Sequence, residues 1–252
     1  MMHSAQHSSL HESNELAERL SYIVQNLRAV YGVPANAHHG DPLDVLIGAI
    51  LSQATSNANS DRTYDNLKSK FPTWEAVRRA RVSSIESAIR LGGLAHQKSI
   101  RIKRLLNDIH ERRGSLDLSF LRRISIEEAR AFLVSLQGVG PITVACTLLF
   151  ACNRPVFPVD THILRIARRL GLLPEKCSDK QAHEIMNRMM GDLAPTGAGD
   201  SKRQQDRAAA ARRYYETHIN LIRHGREVCR PRDPLCEKCC LVDYCEYYSV
   251  LN

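Results

Sequence analysis

Four cysteines near the end of the chain have the spacing of ligands for a metal ion or a metal cluster. They form a C-x6-C-x2-C-x5-C pattern, in which Cys240 adjoins the third member and is an alternative to it. Thiolates bind zinc and iron–sulfur clusters, and unequal spacing within one loop suits a cubane cluster at least as well as tetrahedral zinc. The predicted ligands are Cys229, Cys236, Cys239 and Cys245.

Two further segments carry groups suited to phosphate binding and acid–base chemistry. The segment Gly138–Pro141 separates two predicted helices, and a glycine turn of this kind exposes the first N–H groups of the second helix to a phosphate oxygen. The alternative is a simple helix–helix connection. Asp160, within Pro158–His162, precedes another predicted helix, where a carboxylate acts as an N-cap or as a reactive group.

Charge and cysteine distribution limit the class of protein. Thirty-five Lys+Arg residues oppose 27 Asp+Glu, and the net charge of +8 favours polyanionic partners. The polar N-terminal segment has no apolar signal region, and the apolar run Ile142–Cys152 is too short to span a bilayer. We therefore expect a cytoplasmic protein with no membrane partner, whose clustered cysteines bind metal instead of forming disulfides.

Apolar residues recur at helical spacing along most of the chain, and no segment shows a convincing alternating pattern. Two capping boxes, Ser125 with Glu128 and Ser178 with Gln181, mark the starts of helices. The run Val45–Leu51 fits either a buried strand or a buried helix. We predict an all-α chain. Its helical faces include Leu16, Leu20, Ile23, Leu27 and Val30, and a core stripe of Met186, Met189 and Met190.

The hairpin, the segment around Asp160 and the cysteine pattern, taken together and in this order, resemble the endonuclease III branch of the helix-hairpin-helix (HhH-GPD) DNA glycosylases. The likeness covers residues 40–250. The matching segments are AILSQAT (Ala49–Thr55), LGGLAHQK (Leu91–Lys98), LQGVGPIT (Leu136–Thr143), PVDTH (Pro158–His162) and HGREVC (His224–Cys229), followed by the cysteine pattern.

This resemblance implies two helical domains that flank a DNA-binding cleft. Residues 40–154 would form a six-helix domain with the helix-hairpin-helix, and residues 14–39 plus 155–252 would form an iron–sulfur domain, after a disordered tail at 1–13. The four cysteines would hold a [4Fe-4S] cluster. Gln53 and Leu94 would enter the base stack. The other implied DNA contacts are Lys98, Gly138, Val139, Gly140, Arg230 and Arg232.

Ile142 departs from the family pattern. Bifunctional members of this branch have a lysine at this position, which attacks C1′ of the sugar and permits strand cleavage. No lysine lies between Glu127 and Pro174, whereas Asp160 is retained. The resemblance therefore implies a monofunctional glycosylase that hydrolyses the N-glycosidic bond. The alternatives are a lesion-binding protein without catalysis and a residual endonuclease III-type lyase.

The implied partner is double-stranded DNA that contains a damaged or mismatched base, bound by a monomeric, nucleoid-associated protein. Relatives in which the lysine is replaced include enzymes for thymine or uracil in mismatches, so a mismatched pyrimidine is the first expectation. Ile142 and Gln53 would line the pocket that receives the base.

Overall fold

The computed structural model describes residues 2–35, 40–192 and 200–251, and every regular element in these ranges is helical. The all-α prediction is therefore confirmed. The ambiguous run Val45–Leu51 lies within a helix whose N-cap is Asp41, where the carboxylate accepts the Leu43 N–H at 2.9 Å.

The chain divides into two compact units. Residues 38–154 form one, which we refer to as the hairpin unit, and residues 1–37 with 155–252 form the other, the cysteine unit. The resemblance places the corresponding boundaries at residues 40 and 154.

The described part of the hairpin unit contains seven α-helices, one more than the resemblance implies. Two short helices that follow each other are separated by Ala80 and Arg81, whose backbones are extended. A turn of π-helix, Thr147–Ala151, continues the last one. The helices are α2 (Pro42–Ser52), α3 (Asn57–Lys70), α4 (Trp74–Arg79), α5 (Val82–Ala88), α6 (Ala95–Arg113), α7 (Ile126–Ser135) and α8 (Pro141–Cys146).

The core of the hairpin unit is built on α6 and α2, which contact each other. Gly114, at φ +70°, ends α6 with its N–H bonded to the His110 carbonyl. Apolar residues spaced three and four apart on a helix share one face, so they are buried together. The fully buried side chains include Leu46, Ile47, Ile50 and Leu51 on α2 and Ile102, Leu105, Leu106 and Ile109 on α6.

The cysteine unit contains five α-helices in its described part. Helix α1 begins at Met2, within the segment 1–13 that was expected to be a disordered tail. Val30, expected on its core face, is 57% exposed because the helix ends one residue later. The helices are α1 (Met2–Tyr31), α9 (Thr161–Arg169), α10 (Asp179–Asp192), α11 (Asp200–Glu227) and α12 (Glu246–Leu251).

The predicted methionine stripe on α10 is core. Met186, Met189 and Met190 are all buried. In the described ranges, no helix has the length and apolar character needed to cross a membrane.

Both predicted capping boxes are present, and the first gives a direct test of local stability. Ser125 Oγ accepts the Glu128 N–H at 3.1 Å, while the Glu128 carboxylate accepts the Ser125 N–H at 2.9 Å. We expect Ser125→Ala to lower the free energy of unfolding by about 1 kcal/mol, measured by equilibrium urea denaturation. Glu127→Ala, at an exposed neighbour outside the box, should change it by less than about 0.5 kcal/mol. Equal effects of the two substitutions would contradict the assignment.

Candidate functional site

Two glycines shape the tight turn between α7 and α8. Gly138 has φ +83°, and a Cβ atom there would lie 2.9 Å from Cδ of Arg101, so both the backbone conformation and the close packing require glycine. Gly140 is the N-cap of α8, and Pro141 occupies its first turn. Among the described residues, the N–H groups of Gly138 and Gly140 have no hydrogen-bond acceptor, so both remain available to an external anion.

Val139, expected among the DNA contacts, is largely buried. Its side chain is only 7% exposed, and its N–H donates to the Leu136 carbonyl at 3.2 Å. Both the side chain and the N–H are therefore engaged within the protein. Val139 anchors the turn to the core, and the two glycines present the turn to solvent.

A contact between Gln53 and Thr143 connects the end of α2 to the first turn of α8, which carries Ile142. Ile142 is half-buried in the first turn of α8, and the buried hydroxyl of Thr143 beside it lies 3.5 Å from Nε2 of Gln53. Gln53 Oε1 accepts a hydrogen bond from Nη1 of Arg101 at 2.6 Å. Arg101 also packs against Gly138, so one arginine contacts both the glutamine and the hairpin.

Leu94 stands at the start of α6 with an exposed side chain. It is 54% exposed and has φ +50° and ψ 31°, a left-handed conformation that is unfavourable for leucine by roughly 1–2 kcal/mol. Gly93 before it also has a positive φ of 64°. An exposed apolar side chain on a strained backbone is available for contact with a partner.

Lys98, also expected among the DNA contacts, is buried. Its side chain is 3% exposed, and Nζ donates to the carbonyls of Leu51 at 2.7 Å and Gly92 at 2.8 Å and to Thr55 Oγ1 at 2.7 Å. An ammonium group has three protons to donate, and all three are used within the protein. Burial, and secondarily the charge of Arg101, lowers the pKa of Lys98.

Asp160 is the N-cap of α9. Its Oδ1 accepts the Ile163 N–H at 2.8 Å, which confirms the N-cap interpretation and fixes the orientation of the carboxylate. The side chain is half-buried, so it remains partly accessible to solvent. A cap and a reactive group are compatible roles for one carboxylate, because the cap uses a single oxygen.

Three side chains lie within electrostatic range of Asp160: His162, Arg165 and His218. Burial lowers the pKa of both histidines, and the negative charge of Asp160 opposes that shift. His218 is 3% exposed, and its Nδ1 lies 3.0 Å from the Pro158 carbonyl oxygen. Because a carbonyl only accepts, Nδ1 carries the proton, and the depressed pKa keeps the ring neutral near pH 7.

Two arginines connect α9 to the cysteine loop, residues 229–245. Arg165 donates to the carbonyls of Gly225 at 2.8 Å and Cys229 at 2.9 Å. Arg169 donates to the Arg230 carbonyl at 2.7 Å and lies 3.2 Å from Sγ of Cys229. The helix that begins at Asp160 therefore ends against the first predicted cysteine ligand.

All eight cysteines are free thiols. Within residues 2–35, 40–192 and 200–251, no three His, Cys, Asp or Glu side chains are grouped as they would be around a single metal ion. Burial raises the pKa of Cys239 to about 12, and Cys229 and Cys245 add to the shift. Cys240 lies in electrostatic range of Tyr22 and Tyr31 on α1. Cys239 therefore lies in electrostatic range of Cys240, Cys229 and Cys245, and both Cys239 and Cys240 lie in range of Tyr31.

Arg230 and Arg232 are exposed on the cysteine loop. The structure thus leaves both predicted phosphate contacts accessible.

Sequence reasoning missed Arg101 and the residues around Asp160. The sequence does contain a signal for three of the residues near Asp160. His162, Arg165 and Arg169 are three and four residues apart, so they share a face of α9. Arg101 stands three residues after Lys98 on α6, but nothing local distinguishes it from the solvated arginines nearby.

An all-helical fold with a glycine hairpin ahead of a carboxylate-capped helix defines the class, and comparison with known proteins identifies the family. Residues 47–191 match the model described as HhH-GPD superfamily base excision DNA repair protein. This match spans more than half of the chain, and the protein belongs to that family.

Individual relatives agree with this assignment. The chain is 43% identical over 150 residues to the Arabidopsis thaliana protein named Putative DNA glycosylase At3g47830. The aligned region covers 60% of this chain and 51% of that protein. The chain therefore spans about half the length of that relative. It is 28% identical over 217 residues to endonuclease III of Thermotoga maritima, which covers 85% of this chain and 87% of that protein.

Solved structures show the same fold. A non-covalent endonuclease III–DNA complex superposes with a TM-score of 0.72 at 21% identity, covering 93% of this chain and 97% of that chain. A thermostable thymine-DNA glycosylase superposes with a TM-score of 0.64 at 21% identity, covering 94% of this chain and 98% of that chain. At these identities the likeness establishes the fold alone.

The neutral, buried His218 predicts an acid-sensitive fold. In the unfolded chain a histidine takes up a proton near about pH 6.5, whereas folded His218 does so only at a lower pH, so stability falls as the pH drops below about 6.5. His218→Asn keeps an amide donor near the Nδ1 position and removes the titration. Its free energy of unfolding, from urea curves at about pH 7.5 and 5, should decrease less than that of the wild type.

His96→Asn, at an exposed histidine, controls for the loss of a histidine as such. Its free energy of unfolding should still decrease between these two pH values, because His218 is intact. If His218→Asn follows the wild type, the buried neutral state of His218 is wrong.

Proposed function

We propose that the protein is a monofunctional DNA glycosylase of base excision repair, which hydrolyses the N-glycosidic bond of a damaged or mismatched base. The observation that carries this proposal is the pair of Ile142 and Asp160. Isoleucine has no nucleophile with which to form a Schiff base, whereas an oriented carboxylate serves hydrolysis.

Asp160 supports a hydrolytic mechanism through its orientation. The Ile163 N–H holds Oδ1, and the carboxylate orients or deprotonates a water molecule and stabilises the oxocarbenium-like sugar. The water oxygen bonds to C1′, the bond from C1′ to the base nitrogen breaks, and its electron pair leaves with the base, which gains a proton. The DNA strand stays intact because no step breaks a phosphate ester.

Double-stranded DNA is the proposed partner. The unbonded N–H groups of Gly138 and Gly140 suit a backbone phosphate, and Arg230 and Arg232 offer exposed cations for others. Leu94 and Gln53 are proposed to occupy the space left by the extruded base. The fold shared with endonuclease III bound to DNA supports this arrangement.

A mismatched pyrimidine is the proposed substrate. A mispaired base is easier to extrude than a paired one, so weak pairing contributes to selection before any pocket contact is made. Ile142 places an apolar side chain where bifunctional relatives have a charged lysine. The likeness in fold to a thymine-DNA glycosylase agrees with this choice, and we propose that the protein acts as a monomer.

We also propose that Cys229, Cys236, Cys239 and Cys245 hold a [4Fe-4S] cluster. The donor set fits this group: four free thiols lie in one loop, and Cys239 is in electrostatic range of Cys229 and Cys245. Arg169 lies within hydrogen-bond distance of the Cys229 sulfur, and such contacts accompany cluster ligands. When bound, the cluster would cross-link the loop and stabilise it.

The proposed reaction predicts base release without strand cleavage. The full-length protein, incubated with duplexes that contain G·T or G·U mismatches, should free the pyrimidine, with strand breaks only after alkali and no adduct trapped by borohydride. Asp160→Asn keeps an acceptor for the Ile163 N–H, so stability should be unchanged, while release slows roughly 100-fold or more.

Other outcomes identify other functions. A borohydride-trapped adduct would indicate a lyase. Lesion-selective binding without release of any base, across a broad panel of damaged and mismatched duplexes, would indicate a non-catalytic binder. Full activity of Asp160→Asn would remove Asp160 from the mechanism.

Two adjacent cysteines give a matched test of the cluster. We expect Cys239→Ser to lose bound iron and the visible absorption of the cluster, because Cys239 lies near Cys229 and Cys245. Cys240→Ser should retain both, because Cys240 lies outside the proposed C-x6-C-x2-C-x5-C ligand set. Iron analysis and absorption spectra of the purified variants decide. The reverse result would make Cys240 the third ligand, and iron retained in both variants would contradict the proposed set.

A further inference from the structure

The buried ammonium of Lys98 joins two segments that are separated along the chain. The Leu51 carbonyl is at the C-terminal end of α2, two residues before Gln53, and the Gly92 carbonyl is two residues before Leu94. Nζ of Lys98 bonds both carbonyls at 2.7 and 2.8 Å. The two residues proposed to enter the base stack are thus supported by one side chain.

A hydroxyl strengthens this junction. Thr55 Oγ1 accepts from Lys98 at 2.7 Å, and it donates to the same Gly92 carbonyl. Gly92 also packs tightly against Thr63, because a Cβ atom at Gly92 would lie 3.0 Å from Thr63 Oγ1. The Gly92 carbonyl is therefore held from two sides, and its position leaves little room for movement.

The backbone on both sides of the junction is strained. Ala54, next to Gln53, has φ +52°, and Leu94 has φ +50°. Such conformations in non-glycine residues persist when the surrounding structure fixes them. A Cβ atom at Gly93 would lie 3.9 Å from the Ala54 carbonyl, so the two strained turns face each other closely.

We propose that Lys98 is a positioning residue that fixes Gln53 and Leu94 as one rigid wedge for insertion into damaged DNA. This inference rests on the proposed function, since it assigns the wedge a task in base extrusion. Lys98 acts through the backbone and not as a nucleophile, because its ammonium is buried and bonded to three acceptors. Without it, the two turns are free to relax, and Leu94 loses its fixed position relative to Gln53.

The chain offers a matched control on the same helix. Lys103 also lies on α6, and its Nζ donates to the carbonyls of Arg78 and Ala80 at the end of α4. Lys103→Met therefore removes the same chemical group and the same kind of helix-end bond without touching the turns at Gln53 and Leu94. Thr55→Val provides a second, milder disturbance of the junction that leaves the lysine in place.

The test uses the full-length protein and a duplex with a tetrahydrofuran abasic analogue and 2-aminopurine opposite it. Wild-type binding should change the 2-aminopurine emission as the wedge unstacks the probe, and Leu94→Ala should abolish the change. Lys98→Met should lose this signal and reduce the preference for abasic over undamaged duplex by roughly ten- to a hundredfold, as for loss of a charge-assisted hydrogen bond. Binding to undamaged duplex should be unchanged.

Each outcome is decisive. Retention of signal and selectivity in Lys98→Met overturns the proposal, and so does an equal loss in Lys103→Met, which would indicate general destabilisation. If Lys98→Met does not fold, a partial loss in Thr55→Val supports the proposal and an unchanged signal overturns it. If the wild type itself shows no preference for the abasic duplex, the proposed function fails, and this inference fails with it.

Discussion

The hydrogen bonds of the buried Lys98 ammonium are the constraint on which the candidate site in the hairpin unit depends. A charge removed from water is strongly unfavourable unless protein acceptors replace its hydration. Lys98 therefore stays buried only while Leu51, Thr55 and Gly92 keep their positions. The Leu51 carbonyl lies at the end of α2, where a helix leaves its last carbonyls without partners. One hydrogen bond therefore gives the ammonium an acceptor and gives the helix-end carbonyl a donor.

In the cysteine unit, helix α9 is the element that holds the candidate site residues in place. Its first turn holds the Asp160 carboxylate, and its last turn holds the Cys229 segment through Arg165 and Arg169. The close approach of α11 makes this possible, because a Cβ atom at Gly225 would lie 2.9 Å from Cβ of His162. The Asp160 carboxylate and the cysteine loop thus share one rigid support.

The parts of the structure that depend on local spacing were predictable from the sequence. The capping boxes at Ser125 and Ser178 require only partners three residues away, and both are present. The N-cap position of Asp160 likewise needs only the helix that follows it. The core stripes on α6 and α10 follow from helical periodicity, since residues on one face are buried together.

Contacts that are distant along the chain could not be predicted in this way. Lys98 was expected to contact DNA because the segment Leu91–Lys98 resembles a segment of the family. Its burial depends on the Leu51 carbonyl, 47 positions away, and no local pattern encodes that distance. The roles of Arg101 and His218 were missed for the same reason, since their partners Gln53 and Pro158 are 48 and 60 positions away.

Position 142 carries a half-buried isoleucine beside a polar contact. Thr143, the next residue, has its hydroxyl 3.5 Å from Nε2 of Gln53, and the Gln53 side-chain oxygen accepts a hydrogen bond from the Arg101 guanidinium. Asp160 lies in the other unit and owes its orientation to the Ile163 N–H. Hydrolysis needs a positioned carboxylate and water but no amine, whereas strand cleavage through a Schiff base needs an amine, so the proposed hydrolytic reaction depends on the pair of Ile142 and Asp160.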